Sequence, residues 1–146
     1  MNFFQEMMNN KYIIVPMFIW LGIQTFKVIW DLVKEKKLNF KRLLGAGGMP
    51  SSHSAVVCSL ATLVGKYEGV DTAVFGVAVI LALVVMYDAA GVRRAAGKQA
   101  KLLNQIVNTP GLAISTVQEK LVEVLGHTPV EVFVGAVLGI TVGVLV

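Results

Sequence analysis

Charged side chains are scarce in this sequence. Only 15% of the 146 residues are Asp, Glu, Lys or Arg, whereas 55% are hydrophobic, and the mean hydropathy is +0.71. These values fit a soluble domain poorly and a membrane protein well. A soluble nucleic-acid-binding protein is also disfavoured, because the basic residues border apolar runs and no recognition motif accompanies them.

Cysteine is nearly absent. Cys58 is the single cysteine, so no intrachain disulfide can form. The cysteine content therefore does not indicate whether the protein lies in an oxidising or a reducing compartment. A removable signal peptide is not expected either, because no small-residue cleavage site follows the first apolar run. A chain of this length has room for one domain of a few short-looped helices. We therefore expect residues 1–146 to form a single membrane-embedded domain.

Apolar runs supply about four candidate membrane crossings. They are residues 12–33, 54–65, 74–86 and 130–146. The second is short for a hydrocarbon core of roughly 30 Å. Helical periodicity continues past the third run to Val107, and a second amphipathic helix is predicted over residues 114–125. The predicted fold class is all-α: an integral membrane bundle of about four transmembrane helices, with amphipathic helices on one face.

The positions of the charges predict an orientation. With four crossings, residues 34–53 and 88–127 lie on the same side of the membrane, and most Lys and Arg residues lie there. The positive-inside rule makes that side cytoplasmic. A competing explanation is that some of these cations bind a phosphate. In the last run Gly135, Gly139 and Gly143 recur at every fourth residue, a strip suited to close helix packing, through which a homo-oligomer could form.

The most informative stretch is residues 45–54, Gly-Ala-Gly-Gly-Met-Pro-Ser-Ser-His-Ser. Ser51 or Ser52 is suited to cap the N-terminus of a helix. A helix start presents free N–H groups and a positive dipole end, which attract an anion, and His53 falls in its first turn. The alternative is a glycine-rich turn with a serine cap and an incidental histidine.

Two further groups are candidates for chemistry. Lys27 lies within the first apolar run and is either a functional cation or the partner of Asp31 one turn on. His127 precedes the last run, where Glu131 could hold one imidazole nitrogen protonated and leave the other free to attack. Thr128 and Glu131 also form a capping box around Pro129, and the two roles of Glu131 can coexist.

These motifs together resemble the type-2 phosphatidic acid phosphatase superfamily, which includes the vanadium haloperoxidases. The resemblance rests on Pro-Ser-Ser-His at 50–53 and on His127-x-Pro-x-Glu131. With Gly-Gly-Met-Pro-Ser-Ser-His-Ser-Ala at 47–55 and Asp-Ala-Ala-Gly-Val-Arg-Arg at 88–94, the chain is most similar to a small divergent membrane branch related to acid phosphatases. The likeness runs from Lys27 to the end of the chain.

The resemblance implies a membrane phosphatase that hydrolyses a phosphate or pyrophosphate ester, most simply of a lipid. His127 would be the nucleophile and form a phosphohistidine, Glu131 would orient it, and His53 would protonate the leaving oxygen. Ser51, Ser52 and neighbouring backbone amides would hold phosphate oxygens. No cofactor or metal is required by that chemistry, because fixed cations and N–H groups stabilise the charge.

The sequence departs from the superfamily in its basic residues. Arg42 lacks the lysine expected seven residues earlier, and Leu121 stands where an arginine is expected before the nucleophile. The phosphate ligands expected to replace them are Arg93, Arg94, Lys27 and Lys41, with Asp88 as a further candidate site residue. Guanidinium groups suit bidentate contact with phosphate.

Two other classes of function stay open. A catalytically degenerate protein that binds or transports anionic phospholipid would use the same basic face. A metal-dependent enzyme could gather His53, His127, Asp88 and Glu131, although such a set does not select a metal. The expected location is the plasma membrane of a bacterium, with the active face toward the cytoplasm.

Overall fold

The computed structural model describes residues 2–36, 48–107, 121, 123 and 125–146. Every regular element in these residues is a helix, which confirms the all-α fold class. The helices are α1 (Phe3–Met8), α2 (Lys11–Glu35), α3 (Ser52–Tyr67), α4 (Ala73–Ala90), α5 (Val92–Val107) and α6 (Pro129–Leu145). Lys41 and residues 114–120 of the second predicted amphipathic helix lie outside the described residues.

Local sequence fixes where α3 and α6 begin. The Ser51 hydroxyl accepts a hydrogen bond from the backbone N–H of Ser54 and caps α3. The Thr128 hydroxyl accepts from the N–H of Glu131, whose carboxylate accepts from the N–H of Thr128, and Pro129 begins α6. Each cap satisfies donors that a helix start leaves without an acceptor. The capping box predicted from the sequence is confirmed.

Helix α3 is the centre of the fold, and α6 packs on it through glycines. Gly135, Gly139 and Gly143 face Ser51, Ala55 and Thr62, in that order. A Cβ atom on any of these glycines would overlap atoms of α3. Because the contacts advance along both helices in the same direction, α3 and α6 are parallel and their N-termini lie side by side. The backbone N–H of Ser51 also donates to the Glu131 carbonyl at 3.1 Å.

The glycine strip thus has a partner within the same chain. All three glycines are buried, because α3 presents small side chains and backbone to them. Small residues on both helices allow this close approach. The strip is therefore filled by α3 of the same chain, and a homo-oligomer through this helix stays a prediction.

The outer helices present apolar side chains on the surface of the bundle. In α4, Val77, Ile80 and Val84 are 68%, 61% and 60% exposed, as expected for a surface that faces lipid. By length and composition, Lys11–Lys34 and Ala73–Val107 can cross a membrane, whereas Pro129–Leu145 is shorter. Within the part of the chain that the structure describes, two stretches are thus long and apolar enough to cross a membrane, and a bundle of four crossings stays a prediction.

Residues 121, 123 and 125–127 form a strap along α5. Asn104 of α5 donates to the Leu121 carbonyl at 2.9 Å and accepts from the Leu121 N–H at 3.0 Å. A Cβ on Gly97 would meet the carbonyl oxygens of Glu123 and Leu125 at 2.7 and 2.8 Å. Residues 121, 123 and 125 are not helical. The predicted helix over 114–125 is therefore wrong at its C-terminal end, because α5 takes up the backbone groups that a helix would have paired.

Polar contacts hold the helices together at the end opposite the strap. The Lys66 ammonium donates to the Val144 carbonyl at 2.9 Å, and the Tyr67 hydroxyl donates to the Val146 carbonyl at 2.8 Å. Tyr12 of α2 donates to Glu68 beside them. These bonds join the C-terminal ends of α3 and α6 to the start of α2, so the N-termini of α3 and α6 meet at the other end.

Candidate functional site

The side-by-side N-termini of α3 and α6 bring the two histidines of the chain together. His53 lies in the first turn of α3, and His127 lies just before α6. Their ring centroids are 6.1 Å apart and the rings meet edge to face, at 72°. Helix N-termini carry partial positive charge and free N–H groups. The two imidazoles therefore lie where an anion is attracted.

His127 is buried without a hydrogen-bond partner for its ring. The residue is 2% exposed, and both ring nitrogens are buried with no partner. Its backbone N–H donates to the Ala89 carbonyl of α4 at 2.9 Å, which fixes the strap against the end of that helix. Buried polar groups in folded proteins are nearly always hydrogen-bonded, which makes an unpaired imidazole at a helix N-terminus a candidate group for binding a ligand.

Two cations act on this imidazole. Burial is the main reason that the pKa of His127 is lowered from its ordinary 6.5 to about 4, and the positive charge of Lys27 is the next cause, ahead of the contributions of His53 and Arg93. Lys27 comes from α2 and is itself 4% exposed. Glu131 opposes the shift. His127 is therefore neutral at pH 7, the protonation state that a nucleophilic imidazole needs.

The depressed pKa of His127 predicts a loss of stability in acid. The unfolded chain binds a proton at this residue below about pH 6.5, and the folded chain does so only near pH 4, so stability falls as pH drops through that window. We expect about 2 kcal/mol of the free energy of unfolding to be lost between pH 7 and pH 5 through this group. In thermal unfolding experiments in detergent, the wild type should lose this stability between pH 7 and pH 5, whereas His127→Gln should not. Equal pH dependence in the two proteins would contradict it.

Arg93 is held beside the site by an ion pair. Its Nε donates to the Asp88 carboxylate at 2.6 Å, and the two side chains are 43% and 37% exposed. The charge of Arg93, on α5, acts on both histidines, and that of Asp88, on α4, acts on His53. Arg94 follows Arg93 on a helix, where successive side chains diverge by about 100°, and its backbone packs on Gly126 of the strap. Of the two arginines, Arg93 is the one that pairs with Asp88 and whose charge acts on both histidines.

Glu131 and Ser51 have structural partners. The Glu131 carboxylate accepts from Thr128 at 3.0 Å and does not bond to His127, whose ring nitrogens have no partner. The orienting contact expected from the sequence is thus not formed, because the capping box takes up the carboxylate. Ser51 is fully buried, and its hydroxyl accepts from the Ser54 hydroxyl at 3.0 Å. Ser52, buried at the first position of α3, lies next to His53.

Some contributors to the site carry no clear signal in the sequence. Gly126 has a φ of +84°, and a Cβ there would overlap the Arg94 backbone, so glycine lets the strap approach α5 next to His127. Asn104 bonds to Leu121 at the far end of the strap. Nothing in the sequence pattern distinguishes it from an ordinary polar residue. Among the described residues, no three His, Cys, Asp or Glu side chains are grouped so as to hold a metal.

Comparisons with known proteins agree with the membrane character of the chain. An uncharacterized membrane protein of Bacillus subtilis (strain 168), YuiD, is 38% identical, and the match covers 92% of this chain and 92% of that protein. No solved structure matches. The divergent PAP2 family, where PAP2 denotes type-2 phosphatidic acid phosphatase, matches residues 8–142. Because that match spans nearly the whole chain, this protein belongs to the divergent PAP2 family.

Proposed function

We propose that this protein is a membrane phosphatase that hydrolyses a phosphate or pyrophosphate ester of a lipid through a phosphohistidine at His127. The observation that carries the proposal is the buried His127 ring, which has two unpaired nitrogens and stands 6.1 Å from His53 between two helix N-termini. Membership of the divergent PAP2 family supports it. The neutral state of the imidazole at pH 7 supports it as well.

The proposed reaction has two steps. In the first, a lone pair of a His127 nitrogen forms a bond to phosphorus while the ester P–O bond breaks, and His53 donates a proton to the leaving oxygen. In the second, a water molecule gives a proton to His53 and attacks phosphorus, and the N–P bond breaks. The products are the alcohol, or the shorter phosphate when a pyrophosphate is cleaved, and inorganic phosphate. Both histidines return to their starting states.

The surrounding groups would stabilise charge on the phosphoryl oxygens. Lys27 and Arg93 approach from α2 and α5, and their charges act on His127. The amides of the first turn of α3, at Ser52 and His53, have no intrahelical acceptor and can donate to an anion. Fixed donors in a buried site stabilise developing negative charge without reorganisation. These groups would take the place of the superfamily lysine and arginine that this chain lacks.

The test is phosphate release by purified protein in detergent from phosphatidic acid, an alkyl phosphate and a polyprenyl pyrophosphate. We expect release from at least one substrate. Arg93→Gln should lower kcat/KM about 100-fold, the size typical of removing one charge-stabilising donor. Arg94→Gln is the matched control and should change kcat/KM less than about 3-fold, because the ion pair with Asp88 belongs to Arg93.

Absence of release from every substrate would contradict the hydrolase. If lipid phosphate still binds to the wild type and to the variants of both histidines, and binding is lost in Arg93→Gln, the protein is instead a lipid-phosphate-binding or transport protein. Equal losses in Arg93→Gln and Arg94→Gln would contradict the placement of Arg93 as the phosphate ligand.

A further inference from the structure

A groove runs along the seam between α2 and α6 and begins beside the histidines. It is made of two cavities of about 500 and 390 Å³ that share Phe26 and Pro50. The first is also lined by Lys27, Trp30, Asp31, Lys34 and Val134. The second is also lined by Ile19, Gly22, Ile23, Leu138 and Val142. Volumes in this range are typical of small-molecule sites.

The groove changes character along its length. The charged residues that line it, Lys27, Asp31 and Lys34, all belong to the first cavity, whereas the second is lined only by apolar residues and glycine. The segment of α2 between Ile19 and Lys34 is roughly 22 Å long, at a rise of about 1.5 Å per residue. One leaflet of the hydrocarbon core is about 15 Å thick. The groove is thus long enough for an extended lipid chain and offers charge at one end only.

The charged end of the groove is continuous with the proposed site. Lys27 lines the first cavity and is also the cation with the largest effect on His127. Pro50, shared by both cavities, directly precedes the cap of α3. A molecule with a phosphate at Lys27 and an apolar tail would therefore place its phosphate at the histidines and its tail along α2 and α6.

We propose that the α2–α6 groove binds the apolar chain of a lipid phosphate and makes the protein selective for long-chain over short-chain substrates. This inference rests on the proposed function for the position of the phosphate. Charge complementarity at the Lys27 end and apolar lining at the Ile19 end favour a lipid phosphate over a soluble phosphate ester. Phe26 and Trp30, stacked with ring centroids 6.0 Å apart, form the wall nearest the charged end.

Gly22 allows a direct test because it leaves the middle of the groove open. A Cβ at Gly22 would meet nothing within 4 Å, and the same is true of Gly76 on α4, far from the groove. A phenylalanine at Gly22 would fill the second cavity. Gly76→Phe is the matched control, since it places the same side chain on another helix facing the membrane.

The measurement is the ratio of kcat/KM for hexadecyl phosphate to kcat/KM for para-nitrophenyl phosphate. Gly22→Phe should lower this ratio at least about 10-fold, because the long chain loses its apolar contacts, and Gly76→Phe should leave it at the wild-type value. An unchanged ratio in Gly22→Phe, with normal phosphate release, would overturn the groove as the chain site and leave the phosphatase standing.

A second readout does not depend on hydrolysis. A hexadecyl phosphonate with a photoreactive group at its far end is added to His127→Ala in nanodiscs, and the labelled peptides are identified by mass spectrometry. Labelling at Ile19, Ile23 or Val142 that is lost in Gly22→Phe supports the groove, even if no substrate is hydrolysed and the proposed function fails. Labelling spread over the outer face of α4 as much as over α2 and α6 would overturn it.

Discussion

Replacing His127 with alanine is expected to lower phosphate release at least about 10³-fold, to the background rate. The proposed reaction forms its covalent bond at this imidazole, and loss of a nucleophile removes the step that every other group assists. The fold should tolerate the change, because neither ring nitrogen makes a hydrogen bond and truncating an unpaired buried polar group breaks no bond. Phosphate release and thermal unfolding are measured on the same preparations.

A binding control separates loss of chemistry from loss of the site. His127→Ala should still bind a lipid phosphonate within about 10-fold of the wild-type affinity, because Lys27 and Arg93 remain in place. Thr128→Ser keeps the capping hydroxyl next to His127 and serves as the neighbouring control with near wild-type release. Release by His127→Ala above a tenth of the wild-type rate would exclude His127 as the nucleophile.

Substituting alanine for Gly139 should have the largest effect on stability. The added Cβ would stand 2.9 Å from the Cα of Ala55 and closer still to its carbonyl oxygen. These are backbone atoms of the central helix and cannot move aside as a flexible side chain can. Overpacking of this kind typically costs about 1–3 kcal/mol, and we expect the upper end of that range. Helix α6 would be displaced, and the histidines with it.

Gly76→Ala is the control for this prediction. A Cβ at Gly76 has open space around it, and alanine is the better helix former by up to about 1 kcal/mol. Gly76→Ala should therefore unfold at the same temperature as wild type or a higher one. Thermal unfolding in detergent distinguishes the two variants. Equal unfolding temperatures for Gly139→Ala and wild type would contradict the close packing of α3 on α6.

The sequence predicted features that depend on neighbouring residues. The serine cap of α3 and the Thr128–Glu131 capping box involve residues three positions apart, so local spacing is enough to identify them. Apolar runs likewise located the helices, because burial or lipid contact requires a continuous apolar surface. The pairing of His53 with His127 came from the family resemblance, and the parallel packing of α3 and α6 gives it a physical cause.

Features that depend on tertiary contacts were not predictable from the sequence. The glycine spacing in α6 indicates close packing but not which helix fills the strip, and α3 fills it. Adjacent arginines look equivalent in a sequence, and only the direction of α5 separates Arg93 from Arg94. The helix predicted over 114–125 is wrong at Leu121 because the side chain of Asn104, far away in the sequence, bonds to its backbone.

The most direct measurement of the central claim is covalent trapping of phosphate. His53→Ala keeps the nucleophile but lacks the acid and base of the proposed reaction, so incubation with a ³²P-labelled substrate bearing a good leaving group should leave label on the protein. We predict acid-labile, alkali-stable label on the peptide that contains His127, and none in the double variant that also carries His127→Ala. Label on any other residue, or steady phosphate release by wild type with no covalent phosphate in either protein, would contradict the account.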